Sequence, residues 1–357
     1  MQSAFTDRKS SMSLSSEAIK AKAAELGFDL CGVSAAERHP RLARLAEWIA
    51  DGRSGDMSYL ARSLDERLDP RHVLATAQCV VSVASVYNSP QADGTEENAT
   101  GRVSVARYAR GDDYHDVLRA RLRDLVAWMA AEAGSGFEAF SCIDNGPIQE
   151  RVFAEQAGLG WIGKNTCLIN PELGSWMVLG EVLVSQRLET DRPGVDQCGT
   201  CTRCLDACPT GALPAAYTLD ATRCLSYLTI EQRGSVDPEL RSSIRDQIFG
   251  CDICQDVCPW NRRAAVTADP VWTARPMLGG SRLVDLCALT DAEWSRMLKG
   301  SALRRAGLHR VRRSLAYAAV HLSTVERARA LDALAAQPSA HEPHVAEAIA
   351  WARGVRS

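Results

Sequence analysis

The chain has 357 residues, 46% of them hydrophobic, and a formal charge of −3 at pH 7. This length and composition allow two or three globular domains with cores of their own. The nearly neutral charge excludes a uniformly basic nucleic-acid binder, although it permits a local basic patch.

The first fourteen residues contain no apolar signal region and no twin arginine, so residues 1–14 are predicted to be a disordered N-terminus. No apolar run approaches the length of a membrane span, and no membrane association is expected. Thirteen cysteines without an export signal indicate a reducing environment in which thiols serve as ligands. We therefore expect a cytoplasmic protein. We also expect it to act as a monomer.

Helices and apolar runs alternate between residues 15 and 190. Ser15 begins a capped helix that ends at Gly27, and the β-branched run at 79–86 predicts a buried strand. Further strands are predicted at 28–33, 137–143 and 175–185, with helices at 41–50, 115–132 and 148–156. The polar stretch 88–101 predicts an exposed loop. The alternation indicates an α/β domain at 15–190, whose strand order the sequence does not determine.

Eight cysteines follow the spacing of a bacterial two-cluster ferredoxin. The first run has the pattern C-x2-C-x2-C-x3-C-P and consists of Cys198, Cys201, Cys204 and Cys208. The second run repeats the last three positions with Cys251, Cys254 and Cys258. Ile248 stands where its first cysteine is expected, so we take Cys224 as the missing ligand.

In such ferredoxins the fourth cysteine of a run ligates the other cluster. The first cysteine set is therefore predicted as Cys198, Cys201, Cys204 and Cys258, and the second cysteine set as Cys208, Cys224, Cys251 and Cys254. Zinc and disulfides are the alternatives. Zinc does not require two runs that end in x3-C-P, and disulfides do not suit a chain without a secretory context. We predict an α+β ferredoxin-like domain with two [4Fe–4S] clusters at 191–265.

The five cysteines outside these sets lie in or beside apolar runs and are predicted to be small buried residues. They are Cys31, Cys79, Cys142, Cys167 and Cys287.

The last part of the chain is predicted to be wholly helical. Two helices are predicted within the cysteine-rich segment, at 221–231 and 238–249. Four short helices follow, at 291–299, 308–322, 325–336 and 343–353. Their similar size and brief turns indicate a HEAT-like segment at 266–357, too short to form a free-standing solenoid.

A glycine-rich stretch from Gly158 to Lys164 suggests nucleotide binding at first sight. Asn165, however, stands where a phosphate-binding loop needs a Ser or Thr for magnesium. The stretch also follows a predicted helix, whereas a dinucleotide fingerprint follows a strand. We therefore predict neither kind of nucleotide site.

Asp144 ends a predicted apolar strand and precedes a helix. Burial at such a position raises the pKa of a carboxyl group and makes it a usable acid near neutral pH. The alternative is that the Asp-Asn-Gly-Pro sequence simply forms a turn. For Tyr114 and His115 the alternative to a functional role is a packing pair at the start of the long helix.

Four blocks of this sequence together resemble the epoxyqueuosine reductase family, and the similarity covers residues 15–357. They are Asp144 to Arg151, Gly158 to Asn165, the cysteine pattern, and Cys251 to Asn261. The resemblance implies cobalamin in the α/β domain, two [4Fe–4S] clusters, and a relationship to corrinoid reductive dehalogenases. It implies reduction of epoxyqueuosine to queuosine at the wobble position of tRNA.

The resemblance also implies roles for individual residues. Asp144 would donate a proton, Arg151 would lie near the lower face of the corrin, and Tyr114 and His115 would lie beside the cofactor. Trp161 and Lys164 of the glycine-rich block are likewise assigned to cofactor binding. Electrons would pass from an external low-potential donor through the clusters to cobalamin.

A basic run without an acidic residue is the candidate tRNA surface. Its predicted nucleic-acid-binding residues are Arg304, Arg305, Arg310, Arg312 and Arg313, with Lys299 and His309 beside them. Such a run raises affinity for phosphates and makes that affinity depend on salt. The alternative is a solvated helix face.

Two other functions compete with this one. A corrinoid reductive dehalogenase typically carries an export signal and needs no helical, tRNA-facing tail. A non-catalytic ferredoxin-type electron carrier needs only the cysteine-rich segment, which leaves about 190 preceding residues unexplained.

Overall fold

The computed structural model describes residues 14–89, 101–278 and 280–355. The predicted disordered N-terminus lies outside these residues except for Leu14, which is buried. Most of the predicted loop at 88–101 also lies outside them.

The strands that the structure describes are β1 Leu30–Ala35, β2 Cys79–Val86, β3 Ser104–Val105, β4 Ala139–Cys142, β5 Trp161–Ile162, β6 Leu168–Ile169, β7 Met177–Val184 and β8 Gln247–Phe249. The helices are α1 Ser16–Glu25, α2 Pro40–Ala50, α3 Ser58–Arg62, α4 Leu64–Leu68, α5 Tyr114–Ala133, α6 Glu150–Gln156, α7 Arg203–Asp206, α8 Leu225–Ile230, α9 Pro238–Arg241, α10 Ile253–Asp256, α11 Leu283–Ala288, α12 Asp291–Leu298, α13 Gly307–Ala318, α14 Thr324–Ala335 and α15 Pro343–Gly354. Short 3-10 turns occupy Pro70–His72, Arg107–Ala109, Ala221–Arg223, Ser242–Ile244, Pro259–Asn261, Pro270–Trp272, Ala302–Arg305, Ala319–His321 and Pro338–His341.

A four-stranded sheet in the order β1-β2-β7-β4 forms the centre of the N-terminal half. Helix α1 contacts β1 and α5, and α5 contacts β4 and β7. Helix α6 contacts β1, β2 and β7. Every residue of β2 is buried, which explains its continuous apolar, β-branched sequence. All three strand pairs are antiparallel. The predicted alternation of helices and strands is present, but α/β alternation is typical of parallel sheets, and this sheet is not parallel.

Local signals at the ends of helices agree with the structure. The Ser15 hydroxyl accepts a hydrogen bond from the Ala18 amide and caps α1, and Gly27 ends that region with a φ of +86°. The long helix α5 begins in the same way, because the Asp113 carboxylate accepts from the amide of His115. This cap fixes the position of His115 relative to the helix axis.

The predicted helix at 238–249 is wrong in its second half. Helix α9 ends at Arg241, and Arg245 then adopts a φ of +52°, which helical residues do not. The chain continues as β8, which pairs in parallel with β3. Ile248 and Phe249 are buried there, so their apolar character reflects a short strand in the core.

The C-terminal helices pack on the rest of the chain. Helix α13 lies against α15 and also contacts β8 and α8. One apolar cluster includes Ile19 of α1, Leu225 of α8 and Val345 of α15. The three predicted regions therefore share a continuous core. None of the described helices has the length and apolar character needed to cross a membrane.

Candidate functional site

A cavity of about 1380 Å³ lies where three parts of the chain meet. Helices α2 to α4 form one wall, the residues around Asp144 and α6 form a second, and segment 217–233 with Arg305 forms a third. The volume exceeds the roughly 300–1,000 Å³ of ordinary small-molecule pockets. The cavity therefore has room for a large ligand.

Hydrogen bonds join the first wall of the cavity to the third. The indole of Trp48 donates to the carbonyl oxygen of Leu219 over 2.5 Å, and the amide of Ala221 donates to the carbonyl oxygen of Arg53 over 3.1 Å. The amide of Asp56 donates to the Tyr227 hydroxyl over 2.7 Å. The cysteine-rich segment is thus part of the cavity wall.

Asp144 follows β4 and projects into the cavity from a strained turn. Its φ of +24° lies outside the regions that residues other than glycine favour. One carboxylate oxygen lies 2.7 Å from Nε2 of His115, and the other accepts a hydrogen bond from the Tyr114 hydroxyl. The side chain is 45% exposed, so a ligand in the cavity can reach it.

The pKa of Asp144 differs from the sequence-based expectation. Burial raises this pKa, but the hydrogen bonds and charge of His115 and the hydrogen bond from Tyr114 outweigh burial, and the pKa falls below its ordinary value. Asp144 is therefore a carboxylate at neutral pH. The prediction that burial makes it a neutral acid by itself is wrong.

His115 lies between two carboxylates. Its Nδ1 is 2.7 Å from Asp113, and its Nε2 is 2.7 Å from Asp144. Burial lowers the pKa of His115, but the two carboxylates outweigh burial and raise the pKa to about 9. The ring also stacks on Tyr114, with centroids 4.1 Å apart. At neutral pH His115 is an imidazolium held in one orientation.

Glu150 is a buried carboxyl group that the sequence analysis did not single out. It begins α6 and lines the cavity, and its Oε1 is buried without a hydrogen-bond partner. Burial, followed by the nearby charge of Asp144, raises its pKa to about 8. The signal in the sequence is weak, because Glu150 is one of four polar residues in the seven-residue helix α6.

Arg151 also lines the cavity, where it was predicted to meet the cofactor. Its guanidinium donates to the carbonyl oxygen of Thr166 over 2.6 Å. Thr166 adopts a φ of +65°, so this bond stabilises an unusual turn between β5 and β6. Arg67, whose guanidinium Nε donates to Ser63, forms another cationic part of the wall.

The first cysteine set is brought together at a second, small cavity. All four of its cysteines line this cavity, which measures about 30 Å³. Lys164 also lines it, and its ammonium group donates to the carbonyl oxygens of Gly199 and Cys201. Trp161 is buried against Trp260, with ring centroids 5.0 Å apart, in a cluster that includes Cys258.

Trp161 and Lys164 were expected to bind a cofactor, and the structure places both beside the first cysteine set. Among the residues that line the large cavity are Ile162, which lies between them, and Thr166, which follows Lys164. The expectation for Trp161 and Lys164 therefore stays a prediction, with a cluster on the first cysteine set as the cofactor nearest to them.

The second cysteine set lies nearer the large cavity. Cys224 lines that cavity, and Cys251 is close enough to Cys208 and Cys224 to experience their charge. Cys254 lies near Cys251 and Cys224 and contacts the thiol of Cys167. A cluster on this set would separate the cavity from the first set. Cys167, predicted to be a small buried residue, is thus a neighbour of one of these cysteines.

Two of the five arginines predicted to bind nucleic acid lie inside the protein. Arg312 is 0% exposed and Arg313 is 1% exposed. Arg312 forms an ion pair with Asp291, and Arg313 donates to the carbonyl oxygens of Leu228, Gln232 and Gly234. The prediction that these two contact phosphates is wrong, because helix α13 turns them towards the core.

The other three basic residues differ among themselves. Arg310 is half-buried and donates to the carbonyl oxygens of Gln232 and Ala306. Arg305 is exposed, pairs with Glu231 through two hydrogen bonds of 2.9 and 3.1 Å, and lines the large cavity. Arg304 is exposed and lies near enough to Asp113 to lower its pKa. The basic surface is therefore smaller than predicted and borders the cavity.

Two known protein families match parts of this sequence. Residues 197–261 match the 4Fe–4S double cluster binding domain. Residues 67–145 match the family described as "Epoxyqueuosine reductase QueG, DUF1730". The first match contains all eight cysteines of the two predicted sets, and the second ends immediately after Asp144.

Curated relatives are similar over most of their length. An epoxyqueuosine reductase from Xanthomonas campestris is 43% identical over 303 residues, which are 84% of this chain and 84% of the relative. Another from Pseudomonas aeruginosa is 40% identical over 341 residues, which are 94% and 93% of the two chains.

Solved structures agree with these relatives. A crystal structure of an epoxyqueuosine reductase with an epoxyqueuosine-modified tRNA-Tyr stem loop has a TM-score of 0.86 and 30% identity, and the match covers 94% of this chain and 88% of that one. A structure from Bacillus subtilis, in which the loop of the catalytic aspartate is swung out of the active site, has a TM-score of 0.85, 30% identity and the same coverage.

Proposed function

The chain belongs to the epoxyqueuosine reductase family, and we propose that Asp144 delivers protons to the epoxide oxygen of epoxyqueuosine inside the large cavity. The protein is an oxidoreductase that acts on epoxyqueuosine in tRNA and carries 4Fe–4S clusters. The product is queuosine, in which the oxygen has been removed.

The first and second cysteine sets would each hold one cluster. The small cavity lined by all four thiols of the first set supports this division, as does the proximity among thiols of the second set. Because Cys224 lines the large cavity, the second cluster would pass electrons to the ligand there. The first cluster would receive them from an external low-potential donor.

Cobalamin would occupy the large cavity beside the substrate. The residues fit such a group: the cavity has the volume for a macrocycle, and its wall offers apolar surface from Met57, Leu60, Ile162 and Phe249 as well as cationic donors. Arg151 would face the corrin from α6. When bound, cobalamin supplies the low-potential electrons that cleave the carbon–oxygen bond.

The position of Asp144 carries this proposal. Its carboxylate is the acidic group in the cavity wall that is both exposed to a ligand and hydrogen-bonded to a charged histidine. General acids must lie within hydrogen-bond reach of the group they protonate and must have a proton available. The strained turn of Asp144 supports its identification with the aspartate of the Bacillus subtilis relative whose catalytic loop is swung out of the active site.

The tRNA would approach the cavity mouth near Arg304 and Arg305. Both side chains are exposed, and Arg305 lies over Tyr59 at 5.7 Å, so the mouth offers cations next to an aromatic ring. Single-stranded nucleotides are commonly bound by such combinations of charge and stacking. The wobble nucleotide would leave the anticodon loop and enter the cavity.

The test is conversion of epoxyqueuosine in tRNA by reduced, cobalamin-loaded protein, followed by mass analysis of the nucleosides. Asp144→Ala should retain iron and cobalamin and lose conversion by at least about 100-fold. Asp116→Ala, which removes an exposed carboxylate from the residue after His115, should convert epoxyqueuosine at the normal rate. Normal conversion by Asp144→Ala with full metal content would exclude the role of Asp144.

A further inference from the structure

The reaction consumes protons as well as electrons. Removing an epoxide oxygen as water, and leaving an alkene, requires two electrons and two protons. The carbon–oxygen bonds break, and both protons end on the departing oxygen. The 4Fe–4S clusters account for the electrons, but Asp144 is a carboxylate at neutral pH and holds no proton of its own.

Two protons lie beside the Asp144 carboxylate, one on the Tyr114 hydroxyl and one on His115, and of these two groups only His115 releases its proton at a moderate pH. Nε2 of His115 lies 2.7 Å from a carboxylate oxygen of Asp144, a normal distance for a hydrogen bond between charged groups. The imidazole is turned towards Asp144 because its other nitrogen is held 2.7 Å from Asp113. Asp113 is held in turn, since its carboxylate caps α5 through the amide of His115.

We propose that His115 stores the proton that Asp144 delivers, and that Asp113 is a positioning residue that keeps His115 oriented and charged. The inference rests on the proposed function of the cavity and adds a proton source to it. Asp113 and His115 lie at the start of α5, and Asp144 lies on the turn after β4. Their mutual contacts therefore depend on few other parts of the fold.

The transfer balances without any further reactant. The N–H bond of His115 breaks and an O–H bond forms on Asp144, with no change in oxidation state. The O–H bond of Asp144 then breaks as its proton moves to the oxygen released from carbon. His115 is 24% exposed and regains a proton from solvent. A second transfer along the same path converts the hydroxyl group to water.

Other charged and titratable groups around His115 do not offer this path. Burial raises the pKa of Tyr114 far above neutrality, and the Asp144 charge raises it further, so Tyr114 keeps its proton. The same holds for Tyr108. Arg304 and Arg305, in the 3-10 turn Ala302–Arg305, carry permanent charges that lower the pKa values of Asp113 and Asp144, respectively. Glu150 is protonated at neutral pH, but the hydrogen bond that it makes with Asp144 is to the backbone of that residue and not to its carboxylate, and its Oε1 is buried without a partner.

The substitutions that test this are Asp113→Asn, His115→Gln and the control Asp116→Asn. An asparagine at 113 can still cap the helix and accept from the imidazole, so it removes charge with little change in geometry. A glutamine at 115 retains a hydrogen-bond donor for Asp144 but carries no transferable proton. Asp116 is exposed on the first turn of α5 and pairs with Arg119, away from the imidazole.

The first measurement is an NMR titration of histidine rings in the full-length, cluster-containing protein, with and without cobalamin. In the wild type His115 should titrate near pH 9. Asp113→Asn should move this pKa towards the ordinary value of 6.5, and Asp116→Asn should leave it unchanged. A His115 pKa that is near 6.5 in the wild type, or that Asp113→Asn does not move, would overturn the inference.

The second measurement is the single-turnover rate of pre-reduced, cobalamin-loaded protein between pH 6 and pH 9. Asp113→Asn should resemble the wild type at pH 6 and fall behind by about tenfold at pH 8, because its histidine loses the proton at a lower pH. His115→Gln should be slower by about 100-fold at every pH, with unchanged tRNA affinity. A wild-type rate in His115→Gln, or a loss in Asp113→Asn that is equal at every pH, would contradict the inference. If the wild type itself fails to convert epoxyqueuosine, it is the proposed function that fails.

Discussion

The ammonium group of Lys164 lies 2.9 Å from the carbonyl oxygen of Cys201 and forms a second hydrogen bond of 2.6 Å to Gly199. A residue of the N-terminal half thereby holds the loop that carries the first cysteine set. The loop is otherwise exposed, with half-exposed cysteines and few apolar contacts. The positive charge also lies where a cluster bound by four thiolates would carry negative charge.

Replacing Lys164 by methionine should impair the first cluster. The loop loses two charge-assisted hydrogen bonds, and the reduced cluster loses a stabilising cation, so its reduction potential falls. Iron analysis should show less iron than two clusters require. Potentiometric EPR should show a lower reduction potential for the part of the first cluster that is still bound. Lys22→Met, which removes a half-buried lysine paired with Glu25, is the matched control. Full iron content with an unchanged potential would contradict this prediction.

Two substitutions test whether Cys224 or Cys167 is the eighth cluster ligand. Cys224→Ser should lose most of the second cluster, because that set then has three thiolates. Cys167→Ser should retain both clusters, although Cys167 contacts Cys254. Iron content and the EPR signals of the two reduced clusters distinguish the variants. The opposite result, cluster loss in Cys167→Ser alone, would move the ligand from Cys224 to Cys167.

Arg313→Leu should destabilise the whole protein. Burial lowers the pKa of Arg313 to about 10, yet the residue still donates to three backbone carbonyl groups around the end of α8. Leaving these carbonyls unpaired in the interior costs about 1–3 kcal/mol each, so a loss of about 3 kcal/mol or more is expected. Chemical unfolding measures it. Arg304→Leu, at an exposed position of the same basic run, should change stability by less than about 0.5 kcal/mol.

The exposed basic residues can be tested through the salt dependence of tRNA binding. Lys299 and Arg304 are exposed, and Arg304 lies near Asp113 and next to Arg305, which lines the large cavity. If they contact phosphates, the double substitution to alanine should make the slope of log affinity against log salt shallower for an anticodon stem-loop. The change in slope should correspond to the loss of about two phosphate contacts. Arg329→Ala, at an exposed position of α14 outside the basic run, should leave the slope unchanged. An unchanged slope in the double variant would remove both residues from the interface.

Glu150→Gln should stabilise the cobalamin-free protein in a pH-dependent way. The folded protein raises the pKa of Glu150 from 4.5 to about 8, so it binds a proton that the unfolded chain releases. Wild-type stability therefore falls as pH rises between these two values, by up to about 1.4 kcal/mol per unit. The variant lacks this loss, and its advantage in thermal unfolding should grow from pH 5 to pH 8 and then level off. A difference that is constant with pH would exclude a buried neutral Glu150.

The elements with strong local signals could be predicted from the sequence. Strand β2 occupies the predicted residues 79–86, and α1 begins after its Ser15 cap. The short strand β8 could not be predicted, because its apolar residues are too few to separate strand from helix by periodicity. The relative direction of the strands could not be predicted either, because a strand that is buried on both faces has the same sequence pattern in parallel and antiparallel sheets.

The site was predictable in its chemistry but not in its electrostatics. The spacing of the cysteines gave two sets, and thiols of each set lie near one another in the structure. The position of Asp144 after a strand left a plain turn as the alternative, and its proposed role came from the family resemblance. The lowered pKa of Asp144 depends on His115, which is 29 residues away in the sequence. The burial of Arg312 and Arg313 was equally hidden, because a run of like charges shows nothing about which side of a helix faces the core.

The bonds that join Trp48 to Leu219 and Asp56 to Tyr227 tie the first wall of the large cavity to the cysteine-rich segment. One side of the cavity is made by the segment that carries Cys224, so its shape and the binding of the second cluster are coupled. We therefore expect protein that lacks its clusters to retain less cobalamin as well. A cell short of iron would then lose electron transfer and cobalamin binding together, even with an ample supply of cobalamin.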